Sequence, residues 1–184
     1  MKRLIHIYLL LFIIAVSLYL ILHFKSKNNR NGYVQKELEL TTKLEKILTK
    51  TQVSEQLFLT EKGDSMSLGE LFGSKDKLLI YRIPIFYCSS CVDRELEFIN
   101  DINKNELLPV VVLSSFYKYR DFKVFSHYNA SEKITFCNSG DKFLSIDSLS
   151  KSYYIILNNE LVIQRAFFPV KLSAKQSIDF QKSL

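Results

Sequence analysis

The sequence has little glycine, proline or cysteine and no tryptophan: its 184 residues include 5 Gly, 3 Pro and 3 Cys. Three cysteines are too few to hold a fold together by disulfides, so stability must come from a hydrophobic core. Such a core is available, because hydrophobic residues make up 47% of the sequence, with 14 Phe and 10 Tyr among them. This composition excludes a disordered chain, and the length predicts one compact domain with an appendage.

The chain carries a formal net charge of +6, but its Lys and Arg residues are scattered among acidic ones along the sequence. Proteins that bind nucleic acids usually concentrate their basic residues in a patch or stripe. We therefore expect no nucleic-acid partner.

Residues Leu4–Phe24 form one apolar run, interrupted only by His6, Ser17 and His23. At 1.5 Å per helical residue, about 20 residues cross the roughly 30 Å hydrocarbon layer of a membrane. Neither a small-residue cleavage site nor a lipid-accepting cysteine follows the run, so residues 1–25 are predicted to be an uncleaved signal anchor. Basic residues flank both ends almost equally. These charges do not decide the orientation. Because a short N-terminal tail before a single span usually leaves the rest of the chain outside the cytoplasm, we expect that orientation here.

Residues 26–55 are predicted to connect this anchor to a domain formed by residues 56–184. Residues 26–32 are polar and indicate a linker. A stalk helix is expected between Tyr33 and about Lys50, because apolar residues recur there at helical spacing: Val34, Leu38, Leu44 and Leu48.

The remaining sequence alternates between strand and helix patterns. The elements expected in order are a short strand Gln56–Thr60, a buried strand Lys77–Tyr87, a helix Ser89–Asn103, a buried strand Leu107–Ser115, a helix Tyr117–Tyr128, a short strand Lys133–Cys137, a hairpin Ser152–Leu157 with Leu161–Phe168, and a last helix Ser173–Leu184. Alternating elements followed by a hairpin predict a three-layer α/β sandwich around a central mixed sheet.

The segment Cys88-Ser89-Ser90-Cys91 falls where the strand Lys77–Tyr87 turns into the next helix. Near a helix N-terminus, unpaired backbone N–H groups and the helix dipole favour a negatively charged sulfur. Such a site lowers the pKa of a thiol and makes Cys88 a candidate nucleophile. Cys91 lies one turn further into the helix, close enough to resolve a mixed disulfide.

On this strand–CSSC–helix segment, the chain from Gln56 to Leu184 resembles the thioredoxin-like superfamily. It is most similar to the membrane-anchored thiol–disulfide oxidoreductases of bacterial envelopes, of the TlpA/ResA kind. The resemblance implies that Cys88 attacks, that Cys91 resolves, and that the chain exchanges disulfides with other envelope proteins from the cytoplasmic membrane, without a cofactor or metal. The family usually has a cis-proline facing the two cysteines, and this chain has Ser152 there.

Two other functions remain open at this point. The peroxiredoxin branch of the same superfamily carries Pro-x-x-x-Thr-x-x-Cys, which Pro84, Cys88 and Cys91 match except that Cys88 replaces the threonine. Peroxide reduction through Cys91 is therefore one alternative. The other is a non-catalytic interaction module in which the CSSC segment forms a stable structural disulfide.

Three further residues could take part in chemistry. Arg82 interrupts an apolar strand and must find a partner or reach water; it could stabilise the Cys88 thiolate, or it could pair with an acid at the sheet edge. Cys137 is expected to be a small buried hydrophobic residue. A zinc site built from Cys88, Cys91, His127 and Cys137 fits no common ligand spacing, and none is predicted.

Overall fold

A computed structural model describes residues 2–84, 89–102, 108–131, 134–140, 142–169 and 180; inside its helices, the side chains of residues 2–11, 13–15, 24, 26–31, 89–91 and 102 lie outside this description. The chain divides into two compact units, residues 1–40 and residues 41–184.

The first unit belongs to a long helix, α1, which spans Lys2–Leu48. The helix is continuous through residues 26–32, where the sequence predicts a polar linker. That segment contains no proline and a single glycine, so nothing in it forces a helix to end. Over the residues that the structure describes, no helix is both long and apolar enough to cross a membrane. Most side chains of Leu4–Phe24 lie outside the described part, and the anchor stays a prediction.

The second unit is built on one seven-stranded sheet. Its strands are β1 Leu57–Thr60, β2 Ser65–Ser67, β3 Lys77–Ile83, β4 Val110–Ser114, β5 Ile134–Asn138, β6 Tyr153–Asn158 and β7 Ile163–Phe167. Their order across the sheet is β2-β1-β5-β4-β3-β6-β7. Strands β3, β4 and β5 are parallel, whereas β6 runs antiparallel to β3 and β1 antiparallel to β5. The predicted mixed sheet is confirmed.

Helices α2 (Ser89–Ile102) and α3 (Tyr119–Tyr128) lie between consecutive parallel strands. Both pack on one surface of the sheet, which we call the α2 face, because they share a core cluster with alternate residues of β3 such as Leu79 and Tyr81. The other β3 residues, such as Leu78 and Ile80, point to the opposite surface, the α1 face. There they meet the end of α1 and two short 3-10 helices, Glu70–Phe72 and Ser145–Leu149.

The hairpin predicted near Asn158-Asn159 is confirmed as the antiparallel pair β6–β7. Its turn is closed by the side chain of Asn158, whose Oδ1 accepts a hydrogen bond from the backbone N of Val162 at 2.8 Å. Leu161 takes the left-handed conformation in this turn, with φ of 60°. Of the helix predicted at Ser173–Leu184, only Phe180 is described, as a helical residue buried on the α2 face.

Candidate active site

The predicted cysteine pair lies at the junction between β3 and α2. Strand β3 ends at Ile83, Pro84 follows in a buried position, and α2 begins at Ser89, so Cys91 belongs to the first turn of the helix. The first four backbone N–H groups of a helix have no partner within it, which makes this end electropositive. Cys88 and the side chain of Cys91 lie outside the described residues. Their roles therefore stay predictions.

Arg82, near the end of β3, is almost completely buried on the α1 face with an exposed fraction of 1%. Its Nε and one terminal nitrogen donate to Asp147 Oδ2 at 2.9 and 2.6 Å. The same terminal nitrogen donates to Ser115 Oγ at 2.6 Å. The other terminal nitrogen donates to the carbonyl oxygens of Leu113 at 3.2 Å and Ile83 at 3.4 Å. These contacts engage all five N–H groups of a guanidinium.

Asp147 is the centre of this buried network. It lies on the 3-10 helix Ser145–Leu149 and accepts, besides the bonds from Arg82, a hydrogen bond from the Tyr153 hydroxyl at 2.7 Å and one from the backbone N of Phe143 at 2.7 Å. A buried charge is tolerated only when it is paired and its remaining hydrogen-bonding capacity is satisfied. The network meets both conditions.

Pairing with an acid, one of the two interpretations of Arg82, is therefore what the structure shows. However, Asp147 pairs with a residue of β3, which is an interior strand, and not with one at the edge of the sheet. Arg82 lies on the α1 face, whereas α2 packs on the opposite one. Cys88 lies outside the described residues, so a role of the Arg82 charge in stabilising its thiolate stays a prediction.

A second buried acid, Glu95, lies on the α2 face. It follows Cys91 by four residues, one helical turn, and its exposed fraction is 5%. The Tyr154 hydroxyl donates to Glu95 Oε2 at 2.8 Å, and Arg94 approaches Oε1 at 3.0 Å. Tyr154 in turn stacks on Tyr81, with ring centroids 4.6 Å apart. Burial, and then the nearby Glu95 charge, raise the pKa of Tyr154 well above its usual value, so the phenol stays a proton donor.

Glu95 and Asp147 were not predicted from the sequence as site residues. For Glu95 a signal existed: its position falls inside the buried stripe of α2 formed by Val92, Leu96 and Ile99, where an acid is unexpected. For Asp147 there was none, because its partner lies 65 residues away in the sequence.

The remaining candidates have the following positions in the described part of the chain. Cys137 is a buried core residue of β5, and burial raises the pKa of its thiol to about 12. His127 is exposed on α3. Within the described parts of the chain, no group of three or more His, Cys, Asp or Glu side chains could hold a metal ion. Ser152, in place of the family's proline, directly precedes β6 and is half-buried.

No protein-family model matches the chain, and no curated protein is similar to it in sequence. Solved structures do match. A peroxidoxin, BcpB, from Mycobacterium tuberculosis is 10% identical with a TM-score of 0.55, covering 74% of this chain and 97% of that one. A Chlorobium tepidum protein described as a thiol:disulfide interchange protein, DsbE, is 11% identical with a TM-score of 0.55, covering 73% and 95%.

The exposed lipoprotein thioredoxin Etrx1 from Streptococcus pneumoniae is 14% identical with a TM-score of 0.50, covering 71% of this chain and all of that one. At such low identities, the three likenesses concern the fold. The chain therefore has the thioredoxin-like fold.

Proposed function

We propose that this chain is a thiol–disulfide oxidoreductase that acts through Cys88 and Cys91. One observation carries the proposal: Ser89, Ser90 and Cys91 of the CSSC segment are the first residues of α2, the helix that follows the interior strand β3 of a thioredoxin-like sheet. In that position the positive end of the helix favours a thiolate over a thiol, and the thiolate is the attacking species in disulfide exchange.

In the first step, the Cys88 thiolate attacks a disulfide of a partner protein. A bond forms between Cys88 and one partner sulfur, and the other partner sulfur leaves as a thiolate. In the second step, Cys91 loses its proton and attacks the Cys88 sulfur, which releases the second partner thiolate. The chain is thereby oxidised to its internal disulfide, the partner is reduced by two electrons, and a dithiol donor must return the chain to its reduced form.

Glu95 is suited to accept the Cys91 proton. It is buried one helical turn beyond Cys91, and its second oxygen is held by the Tyr154 hydroxyl. A carboxylate shielded from water and placed close to a thiol can accept its proton during the attack. The hydrogen bond from Tyr154 orients that carboxylate before the transfer.

We further propose that α1 tethers the chain to the cytoplasmic membrane and that residues 56–184 lie on its extracytoplasmic side, where they meet other envelope proteins. The apolar run Leu4–Phe24 supports this, and the described apolar side chains between Phe12 and Leu22 are exposed. The similarity to an exposed lipoprotein thioredoxin is in line with it. An enzyme reporter active only after export, fused behind Leu184, should be active; activity of a cytoplasmic reporter in its place would contradict the topology.

The two cysteines can be tested separately by trapping mixed disulfides. Cys91→Ser removes the resolving thiol, so disulfide-linked complexes with partners should accumulate on non-reducing gels, whereas Cys88→Ser should abolish them. Cys137→Ala is the matched control, because its thiol is buried and should not affect trapping. Complexes that persist in Cys88→Ser and vanish in Cys91→Ser would reverse the assignment.

Peroxide reduction through Cys91 is a second candidate, favoured by the similarity to a peroxidoxin and by Pro84 four residues before Cys88. Peroxide consumption that needs Cys91 but not Cys88 would support it. If the two cysteines form a stable structural disulfide instead, neither trapped mixed disulfides nor peroxide consumption is expected. Cys88 should then fail to react with a maleimide after mild reduction.

A further inference from the structure

The outer surface of α3 carries aromatic and basic side chains that alternate with buried residues in the sequence. We propose that this surface, formed by residues 117–128, docks on a bilayer of anionic phospholipids. The proposal uses the tether of the proposed function but is independent of the thiol chemistry. We call residues 117, 118, 120, 123, 124 and 128 the α3 surface.

The α3 surface exists because the helix is amphipathic. Phe122 and Ser126 are fully buried against the sheet, and Phe125 is half-buried. The opposite side therefore faces outward, with Val124 exposed by 50% and Tyr128 by 84%; Tyr117, just before the helix, is exposed by 79%. Tyrosine combines an apolar ring with a polar hydroxyl and is enriched where membranes meet water.

Three cations accompany these rings: Lys118, Arg120 and Lys123 are all exposed. Residues 117–128 contain one acid, Asp121. Its ion pair with Arg120 is long, at 3.5 Å, and open to solvent. Exposed pairs of this kind are weak, so Arg120 keeps most of its capacity to bind an anion. The charge of the surface is thus complementary to anionic headgroups.

Arg120, Val124 and Tyr128 of the α3 surface border an open groove of about 520 Å³. It is lined by Phe116, Val124, Phe125 and Tyr128 on its apolar part and by Arg120, Asp121 and Asn129 on its polar part. An apolar groove with a guanidinium at its rim matches a lipid, which carries a phosphate next to acyl carbons. An acidic peptide would use the cations but leave the apolar part of the groove without a function.

The absence of tryptophan allows a direct test. Tyr128→Trp places a single fluorophore on the α3 surface, and Leu57→Trp places one at a position exposed by 71% on β1 as a matched control. The full chain is reconstituted in nanodiscs of phosphatidylcholine alone or mixed with phosphatidylglycerol, with brominated acyl chains as quenchers. Emission from Tyr128→Trp should shift to the blue and be quenched in the anionic discs only, and Leu57→Trp should be unaffected in both.

Reversing the charges of Lys118, Arg120 and Lys123 to Glu should abolish the quenching of Tyr128→Trp, with circular dichroism confirming the fold. Unquenched Tyr128→Trp in anionic discs, equal quenching of Leu57→Trp, or quenching that survives charge reversal would overturn the proposal. So would loss of quenching on addition of an acidic peptide or RNA in a molar ratio of one, since either would then be the preferred ligand. A chain that fails to enter nanodiscs refutes the tether instead, and anionic vesicles added to the same variants then test the surface.

Discussion

Removing the carboxylate of Asp147 should destabilise the protein more than any other single change of a polar side chain considered above. In Asp147→Ala, the guanidinium of Arg82 stays buried at an exposed fraction of 1% without its counter-ion. Breaking a buried ion pair by removing one partner costs about 3–5 kcal/mol. Tyr153 and the backbone N of Phe143 lose their acceptor as well. Because domains are typically stable by about 5–15 kcal/mol, this is a large share of the free energy of unfolding.

A double variant gives the matched control. Arg82→Met with Asp147→Leu removes both charges and fills the space with apolar atoms. Replacing both members of a buried pair in this way is often neutral or stabilising by about 1–4 kcal/mol. Here the gain is reduced, since Ser115, Tyr153 and the backbone groups lose partners. The double variant should nevertheless be no less stable than Asp147→Ala, although it lacks more polar groups.

Urea denaturation of the full chain in detergent micelles, followed by tyrosine fluorescence, measures both effects. With a denaturant dependence of about 1–3 kcal/mol per molar urea, the midpoint of Asp147→Ala should fall by about 1–5 M. A loss under about 1 kcal/mol would show that the guanidinium finds water or another partner. A double variant as unstable as the sum of its two single variants would refute the coupling itself.

Three further outcomes are expected. If the buried guanidinium also acts on Cys88, Asp147→Asn should speed alkylation of Cys88 at neutral pH, because the positive charge is then less compensated; an unchanged rate would leave that charge a structural role only. In a chain that keeps both cysteines, Glu95→Gln should slow the resolution of transient mixed disulfides at neutral pH but not at alkaline pH, where the resolving thiol ionises without a base, and stopped-flow quenching can measure this. Burial raises the pKa of Cys137 from 9.0 to about 12, so folding favours the protonated thiol; stability should fall as pH rises from about 9 to 12, and Cys137→Ala should remove this part of the pH dependence of unfolding.

Local patterns predicted most of the fold. The apolar runs around Ile80 and Val112 became buried parallel strands, and the stripe on α2 became its packing face, because both depend on the spacing of neighbouring residues. The polar composition of residues 26–32 was less informative, since most polar residues are compatible with a helix.

The candidate site was predictable only where it is contiguous in sequence. The position of the CSSC segment at a strand–helix junction follows from local periodicity. Partners supplied by distant parts of the chain do not: Asp147 is 65 residues from Arg82, and Tyr154 is 59 residues from Glu95. The cations of the α3 surface were missed for a related reason, because only the helix brings them to one side.

The end of α1 belongs to the core of the second unit, and this restricts how the unit could be released by proteolysis. Leu44 and Leu48 are buried on the α1 face, and Glu45 accepts a hydrogen bond from the backbone N of Phe168 at 3.3 Å. Each leucine contributes about 1.5–3 kcal/mol through its burial. A protease that cuts between residues 49 and 55 would therefore separate the end of α1 from the second unit and leave its core open. Cleavage before Thr41 would release the second unit intact.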